Sequence, residues 1–183
     1  MPGSGRGGPA NRWGWHPLTD SWARRIAAAA PVDSGDLVLD LGAGTGALTR
    51  PLLARGARVI ALELHPGRLA ALRELAADEP RLTVVAADAT DLLLPRRAFR
   101  VVSSPPYDGS SAILDRLLSR GSRLLSADLV VQRQLARRWV EGRARGAGRW
   151  GREYRLTLGR SLPRSAFRPA PRVDSVVLQV RRR

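Results

Sequence analysis

Short apolar runs recur along the chain at 36–41, 58–63, 82–86, 99–102 and 127–131. Runs of this length rich in Val, Leu and Ile read as strands buried on both faces. Between them lie segments whose apolar residues fall three or four apart, the period of an amphipathic helix. They cover 21–30 (Trp22, Ile26, Ala29 and Ala30), 48–55, 65–76 (Leu69 and Leu72), 110–119 (Ile113, Leu114, Leu117 and Leu118) and 132–140. Thr19-Asp20 predicts an N-cap, and His65-Pro66 predicts a helix start, which assigns His65 to the helix end rather than to chemistry. Near the C-terminus the period becomes two, at 154–158 and 173–180, around a proline-bounded loop at 161–171. Alternating strands and helices predict an α/β, Rossmann-like fold on a mostly parallel seven-stranded sheet. The last two strands close it as an antiparallel pair.

The chain has 183 residues, enough for one domain with a sizeable core. The expected organisation is a disordered basic arm at 1–12, made of Gly, Pro, Ser, Asn and Arg, and a single domain at 13–183. That arm is either a basic tail on nucleic acid or a floppy terminus. It lacks the apolar stretch of a signal peptide, and no apolar run reaches the roughly 18 residues of a membrane span. Cysteine is absent and there are two His, so disulfides and thiolate metal sites are excluded and no metal is expected. The cytoplasm is the expected compartment.

Charge changes the picture. The 31 basic residues, all Arg, outnumber 16 acidic ones, for a net charge of +15. Arg-only usage is what a GC-rich genome produces, but it does not explain the excess of base over acid. That excess predicts a polyanionic partner, most often nucleic acid. Arg pairs phosphate bidentately and stacks on bases, which suits RNA. The stretch 141–152, rich in Gly and Arg with Trp150 inside it, reads as a mobile basic loop, either an RNA contact or a solvated surface.

Candidate chemistry follows the first strand. Gly42-Ala43-Gly44-Thr45-Gly46-Ala47 is a glycine turn between strand and helix, and Glu63 closes the next strand about twenty residues on. An acid there grips ribose hydroxyls; the pattern alone fits NAD as well as S-adenosylmethionine. Asp88, just past the third strand, is either an acceptor for an adenine amino group or a cap for Thr90. Trp13-Gly14-Trp15-His16-Pro17-Leu18 reads as a hydrophobic staple or as a lid over a ligand. After the fourth strand comes Ser104-Pro105-Pro106-Tyr107. Two prolines make a stiff turn that presents the Ser104 hydroxyl, the Pro105 carbonyl and the Tyr107 ring together. Two acceptors and an aromatic face suit a planar group bearing an amino group.

In this order, the glycine turn, Glu63, Asp88 and Ser104-Pro105-Pro106-Tyr107 resemble class I S-adenosylmethionine-dependent methyltransferases. The last motif is similar to the (Asn/Asp/Ser)-Pro-Pro-(Tyr/Phe) signature of enzymes that methylate amino or amide nitrogen, which decides against NAD. The stretch from Pro163 to Ser175 narrows the resemblance to the Erm and KsgA rRNA adenine N6-methyltransferases, and most closely to the short mycobacterial-type Erm enzymes. It covers nearly the whole chain from Trp13.

The resemblance implies roles. His16, Leu18, Gly42, Ala43, Gly44, Glu63, Leu64, Asp88, Ala89 and Ser104 are expected at S-adenosyl-L-methionine. Ser104, Pro105, Pro106, Tyr107 and Phe167 are expected at the substrate base, with Phe167 facing Tyr107 across a flipped adenine. RNA contact is expected from Arg133, Arg137, Arg138, Arg143, Arg145, Arg149, Arg164, Arg168, Arg181, Arg182 and Arg183. Trp15 and Pro17 stand where the family has Gln and Phe, and Ser104 where most Erm enzymes have Asn. A hydroxyl still accepts, and slower transfer or a stop at one methyl is expected. Most Erm proteins continue into a helical C-terminal domain, which this chain is expected to lack. The implied activity is methylation of an adenine of naked or immature 23S rRNA in the peptidyl transferase region, by a monomer. That would confer macrolide, lincosamide and streptogramin B resistance. The alternatives are a KsgA-like 16S rRNA dimethyltransferase, a DNA adenine-N6 methyltransferase, or an RNA-binding protein that has lost turnover.

Overall fold

The computed structural model describes residues 15–183, so the arm expected at 1–12 and Trp13-Gly14 lie outside the described residues. Seven strands form one sheet: β1 (Leu37–Leu41), β2 (Arg58–Glu63), β3 (Leu82–Ala86), β4 (Phe99–Ser103), β5 (Leu124–Gln132), β6 (Tyr154–Leu162) and β7 (Ser175–Arg182). Their order across the sheet is β3-β2-β1-β4-β5-β7-β6. Neighbours from β3 through β5 are parallel, while β7 runs antiparallel to both β5 and β6. This is the topology that the alternating pattern predicts.

Helices α1 (Asp20–Ala29), α2 (Thr49–Ala54), α3 (Pro66–Ala77), α4 (Ser110–Leu117), α5 (Arg133–Val140) and α6 (Ala147–Trp150) flank the sheet. Both faces are covered, so every residue of β1 is buried. The period of two then sorts neighbouring residues into two apolar clusters. Leu39, Val101, Leu129 and Leu178 join one, with Ile113 and Trp139 from α4 and α5. Val38, Val102, Val130 and Val177 join the other, with Ile26 and Leu52 from α1 and α2.

Several expected boundaries move. β5 starts at Leu124 rather than 127, because Leu124 and Ser126 pair with Phe99 and Arg100. β6 runs on to Leu162 through a register shift between Leu158 and Ser161, so the loop expected at 161–171 begins later. The inward face of α1 is Ala23, Ile26 and Ala27, and Ala29 is exposed. The basic stretch 141–152 holds α6. Trp150 is buried and stacks on Trp139 with ring centroids 5.4 Å apart, so it serves the core rather than an RNA base.

Sheet order reverses at β1 and β4, whose neighbours lead outward in opposite directions. In an open α/β sheet, such a switch point opens a crevice at the carboxyl ends of the strands.

Candidate active site

The segments leaving β1, β2, β3 and β4 line a cleft of about 370 Å³ at that crevice. Gly42, Glu63, Leu64, Asp88, Ala89 and Ser104 to Tyr107 all line it, together with Trp15 and His16. A smaller adjoining chamber is lined by Leu18, Ala43, Gly44 and Asp40, the last not anticipated from sequence. Nearly every residue expected at cofactor or base is therefore brought to one place.

Glycine is required at two points of the turn. Gly42 has φ +70°, and a Cβ there would meet Pro106 Cδ at 2.9 Å. Gly44 has φ +60°, and a Cβ there would meet the Trp15 indole nitrogen at 2.9 Å. The turn is thus pressed between the Pro-Pro loop and the N-terminal segment, in a backbone conformation that L side chains rarely adopt. Glu63 buttresses it from below: Gly44 N donates to Oε2 at 2.9 Å, and the Leu64 and His65 amides donate to Oε1 at 3.0 and 2.8 Å. Arg68 adds an ion pair at 3.4 Å and lays its guanidinium over the Trp15 ring at 4.7 Å. With Oε1 already satisfied, Oε2 is the oxygen left with acceptor capacity for a ribose hydroxyl.

Asp88 caps the following turn, one of the two roles the sequence allows, and it also borders the cleft. Its Oδ1 accepts from Thr90 N at 2.8 Å and Thr90 Oγ1 at 2.7 Å. His65 caps α3, with Gly67 N donating to Nδ1 at 3.2 Å, as its position before Pro66 predicts. Under the glycine turn, Asp40 is wholly buried and accepts from Thr49 Oγ1 at 2.7 Å. Burial pushes its pKa up to about 7; the Thr49 bond opposes this and the Glu63 charge adds to it. Sequence reading passes over Asp40 because it sits inside an apolar strand.

The Tyr107 hydroxyl lies 2.7 Å from Ser175 Oγ. Burial raises the phenol pKa, with the Ser175 bond working the other way. Pro106 O is engaged by Ser110 Oγ and Gly109 N, each at 3.2 Å. His16 stacks on the Tyr107 ring, with centroids 5.8 Å apart and planes 25° from parallel, and its Nδ1 meets Pro169 O at 2.9 Å.

That arrangement corrects the expected sandwich. Phe167 is 2% exposed and packs in the core beside Leu18 and Val177 instead of facing Tyr107. The reason is tertiary: residues 17–19 run against 166–168, with Thr19 N donating to Ala166 O, Arg168 N to Pro17 O, and Leu18 bridged to Phe167. This pairing turns Phe167 inward and brings His16 over Tyr107.

The expected RNA arginines divide by sheet direction. β7 is antiparallel, so Ser175 pairs with Gln132 at the cleft end of β5 and Arg181 pairs with Ser126 at the far end. Arg133, Arg164 and Arg168 lie toward the cleft, where Arg133 N donates to Asp174 O and Arg164 reaches Asp174 at 3.8 Å. Arg137 and Arg138 are exposed farther along α5. At the far end, Arg181 pairs with buried Asp128 at 2.8 Å, and Arg182 donates to Ser122 O at 3.0 Å and lies over Tyr154. Arg183 donates to Gly151 O at 3.2 Å, which brings the 141–152 stretch to that same end. In that stretch Arg143, Arg145 and Arg149 are exposed, and Arg143 pairs with Glu141. Arg181, Arg182 and Arg183 thus each bond within the protein at the far end of the sheet, away from the cleft, with Arg182 and Arg183 still exposed. Among the described residues, no helix is long and apolar enough to cross a membrane.

A family described as "Ribosomal RNA adenine dimethylase" matches residues 18–183. An rRNA methyltransferase of Streptomyces thermotolerans is 37% identical over 167 residues, covering 87% of this chain and 54% of that protein. The ribosomal RNA small subunit methyltransferase A of Leifsonia xyli subsp. xyli is 37% identical over 185 residues, covering 93% of this chain and 65% of that protein. The crystal structure of the 23S rRNA methyltransferase ErmE superposes with a TM-score of 0.81 at 31% identity, over 91% of this chain and 69% of that one. This chain therefore spans between half and two thirds of the length of those two sequence relatives.

Proposed function

Since the chain belongs to the ribosomal RNA adenine dimethylase family, we propose that it transfers a methyl group from S-adenosyl-L-methionine to N6 of an adenine in 23S rRNA. The observation that carries this reading is the Ser104-Pro105-Pro106-Tyr107 turn, which packs Pro106 against Gly42 and lines one cleft with Glu63 and Asp88. The residues fit the cofactor. The glycine turn is a cradle with no room for a Cβ, Glu63 Oε2 retains acceptor capacity for ribose, and Asp88 accepts from an adenine amino group. A volume of about 370 Å³ lies in the range of small-molecule sites.

The bound cofactor supplies an activated methyl on a sulfonium. The protein's task is position. An adenine stacked in RNA is out of reach, so it must flip into the cleft at a cost of roughly a few kcal/mol. Stacking on Tyr107 returns about 1–3 kcal/mol. The Ser104 hydroxyl and the Pro105 carbonyl accept the two N6 hydrogens, which aims the nitrogen lone pair out of the ring plane. Pro106 O, already engaged by Gly109 and Ser110, is left out of this role. The proton leaves to water after transfer.

The preference for 23S over 16S rRNA rests on the resemblance to the short Erm enzymes and on the likeness to the 23S rRNA methyltransferase ErmE, and the outcome of such methylation would be macrolide, lincosamide and streptogramin B resistance. The enzyme would act as a cytoplasmic monomer on protein-free or immature RNA, with Arg133, Arg164 and Arg168 beside the cleft. The small subunit methyltransferase of Leifsonia at 37% identity makes a 16S target the second reading. The test is transfer of labelled methyl to protein-free rRNA by the wild type and by Tyr107→Ala. A fall in transfer of about 100-fold or more, with S-adenosylmethionine affinity kept within threefold, is expected. Equal transfer by both proteins would overturn the role of the turn.

A further inference from the structure

We propose that Ser175 is a positioning residue that fixes the Tyr107 ring as the platform for the substrate base. The inference rests on the methyltransferase reading above and goes beyond it, since Ser175 lies two strands away from the Pro-Pro-Tyr turn.

Tyr107 opens a single 3-10 turn, Tyr107–Gly109, and its side chain reaches out from there on two free torsions. Ser175 is its opposite in rigidity. It is the first residue of β7, 1% exposed, and its backbone is paired to Gln132 on one side and Leu162 on the other. The hydroxyl-to-hydroxyl distance is 2.7 Å, so the far tip of the ring is tied to a buried strand residue paired on both sides. A ring anchored at both Cβ and hydroxyl cannot swing away from the Ser104 and Pro105 acceptors. The phenol is protonated at neutral pH as any tyrosine is, and burial raises its pKa further.

The antiparallel direction of β7 is what makes the contact available. A parallel strand in this position would bring its C-terminal end to the cleft, followed by connecting chain, whereas β7 begins there directly after the loop that carries Pro169. That loop also holds His16, through Pro169 O, against one face of the same ring. Tyr107 is thus held by Ser175 at its tip and covered by His16 on a face.

The test uses the chain's two tyrosines, Tyr107 and Tyr154. In protein labelled with carbon-13 on the tyrosine rings, Ser175→Ala should shift and sharpen the Tyr107 ring signals, while those of buried Tyr154 stay in place. In methyl transfer to rRNA, Ser175→Ala should lower kcat about tenfold and leave the KM for S-adenosylmethionine within twofold. Ser175→Thr should restore most of the rate. Tyr107→Phe removes the same bond from the less buried partner, so it should reproduce the fall in rate even if a Ser175 variant folds poorly. The double variant Tyr107→Phe with Ser175→Ala should be no slower than either single one. Multiplying effects in the double variant, or unchanged kcat in Ser175→Ala, would overturn the proposal. If the wild type transfers no methyl to any RNA, the methyltransferase reading fails separately. The ring signals then decide the clamp alone, and an unchanged Tyr107 spectrum in Ser175→Ala would sink it.

Discussion

Asp40 is wholly buried beneath the glycine turn, with its pKa raised from 3.8 to about 7 by burial. An acid whose folded pKa exceeds its unfolded value binds its proton more tightly when folded. Its contribution to stability is therefore complete below about 3.8 and is lost as pH rises through about 7. Asp40→Asn keeps an acceptor for Thr49 Oγ1 and removes the titration. The melting temperature of the wild type should fall relative to that of Asp40→Asn between pH 4 and 7; parallel curves would show that Asp40 is ionised throughout. Phe167 makes a second residue-scale case. A buried aromatic cut to Ala costs about 3–5 kcal/mol. Phe167→Ala should thus lower stability in denaturant titration by that order, whereas a ring that merely faced the base would leave stability almost untouched.

At the scale of elements, what was readable in the sequence is what neighbouring residues determine. The glycine turn, Glu63, Asp88 and the Pro-Pro-Tyr turn each follow a strand within a few residues, and strand ends are set by local hydrophobic pattern. Phe167 lies in the core and His16 stacks on Tyr107 in its stead, because the pairing of 17–19 with 166–168 depends on contacts across nearly the whole chain. Trp150 was likewise unreadable: a Gly/Arg-rich stretch carries no period to show that one aromatic packs on Trp139. The N-terminal segment and the glycine turn act as one unit, since the Trp15 indole nitrogen lies only 2.9 Å from where a Gly44 Cβ would be. A positive φ costs an L residue about 1–2 kcal/mol, before the collision with Trp15 is counted. Gly44→Ala should lower S-adenosylmethionine affinity at least tenfold by displacing Trp15, as read by calorimetry. Unchanged affinity would mean that Trp15 moves aside freely.

For the whole molecule, the net charge of +15 says only that a polyanion is attracted. Sheet direction says which arginines lie beside the cleft. Because β7 is antiparallel, the terminal arginines sit at the end away from the cleft, with Arg181 neutralising buried Asp128. Replacing Arg164 and Arg168 by Ala should weaken RNA binding and flatten the log–log salt dependence by about 0.7–0.9 for each phosphate no longer neutralised. Replacing Arg182 and Arg183 should leave that slope unchanged; the reverse pattern would put RNA at the far end of the sheet. Arg181→Ala should instead destabilise the fold by about 3–5 kcal/mol, the cost of leaving a buried carboxylate unpaired. The central claim is methylation of one rRNA adenine, and its most direct test is radiolabelled S-adenosylmethionine with protein-free 23S and 16S rRNA side by side, followed by mapping of the modified base. The account predicts label on a single adenine of the 23S peptidyl transferase region. Label on 16S rRNA alone would reassign the substrate, and label on neither RNA, with cofactor still bound, would contradict the claim.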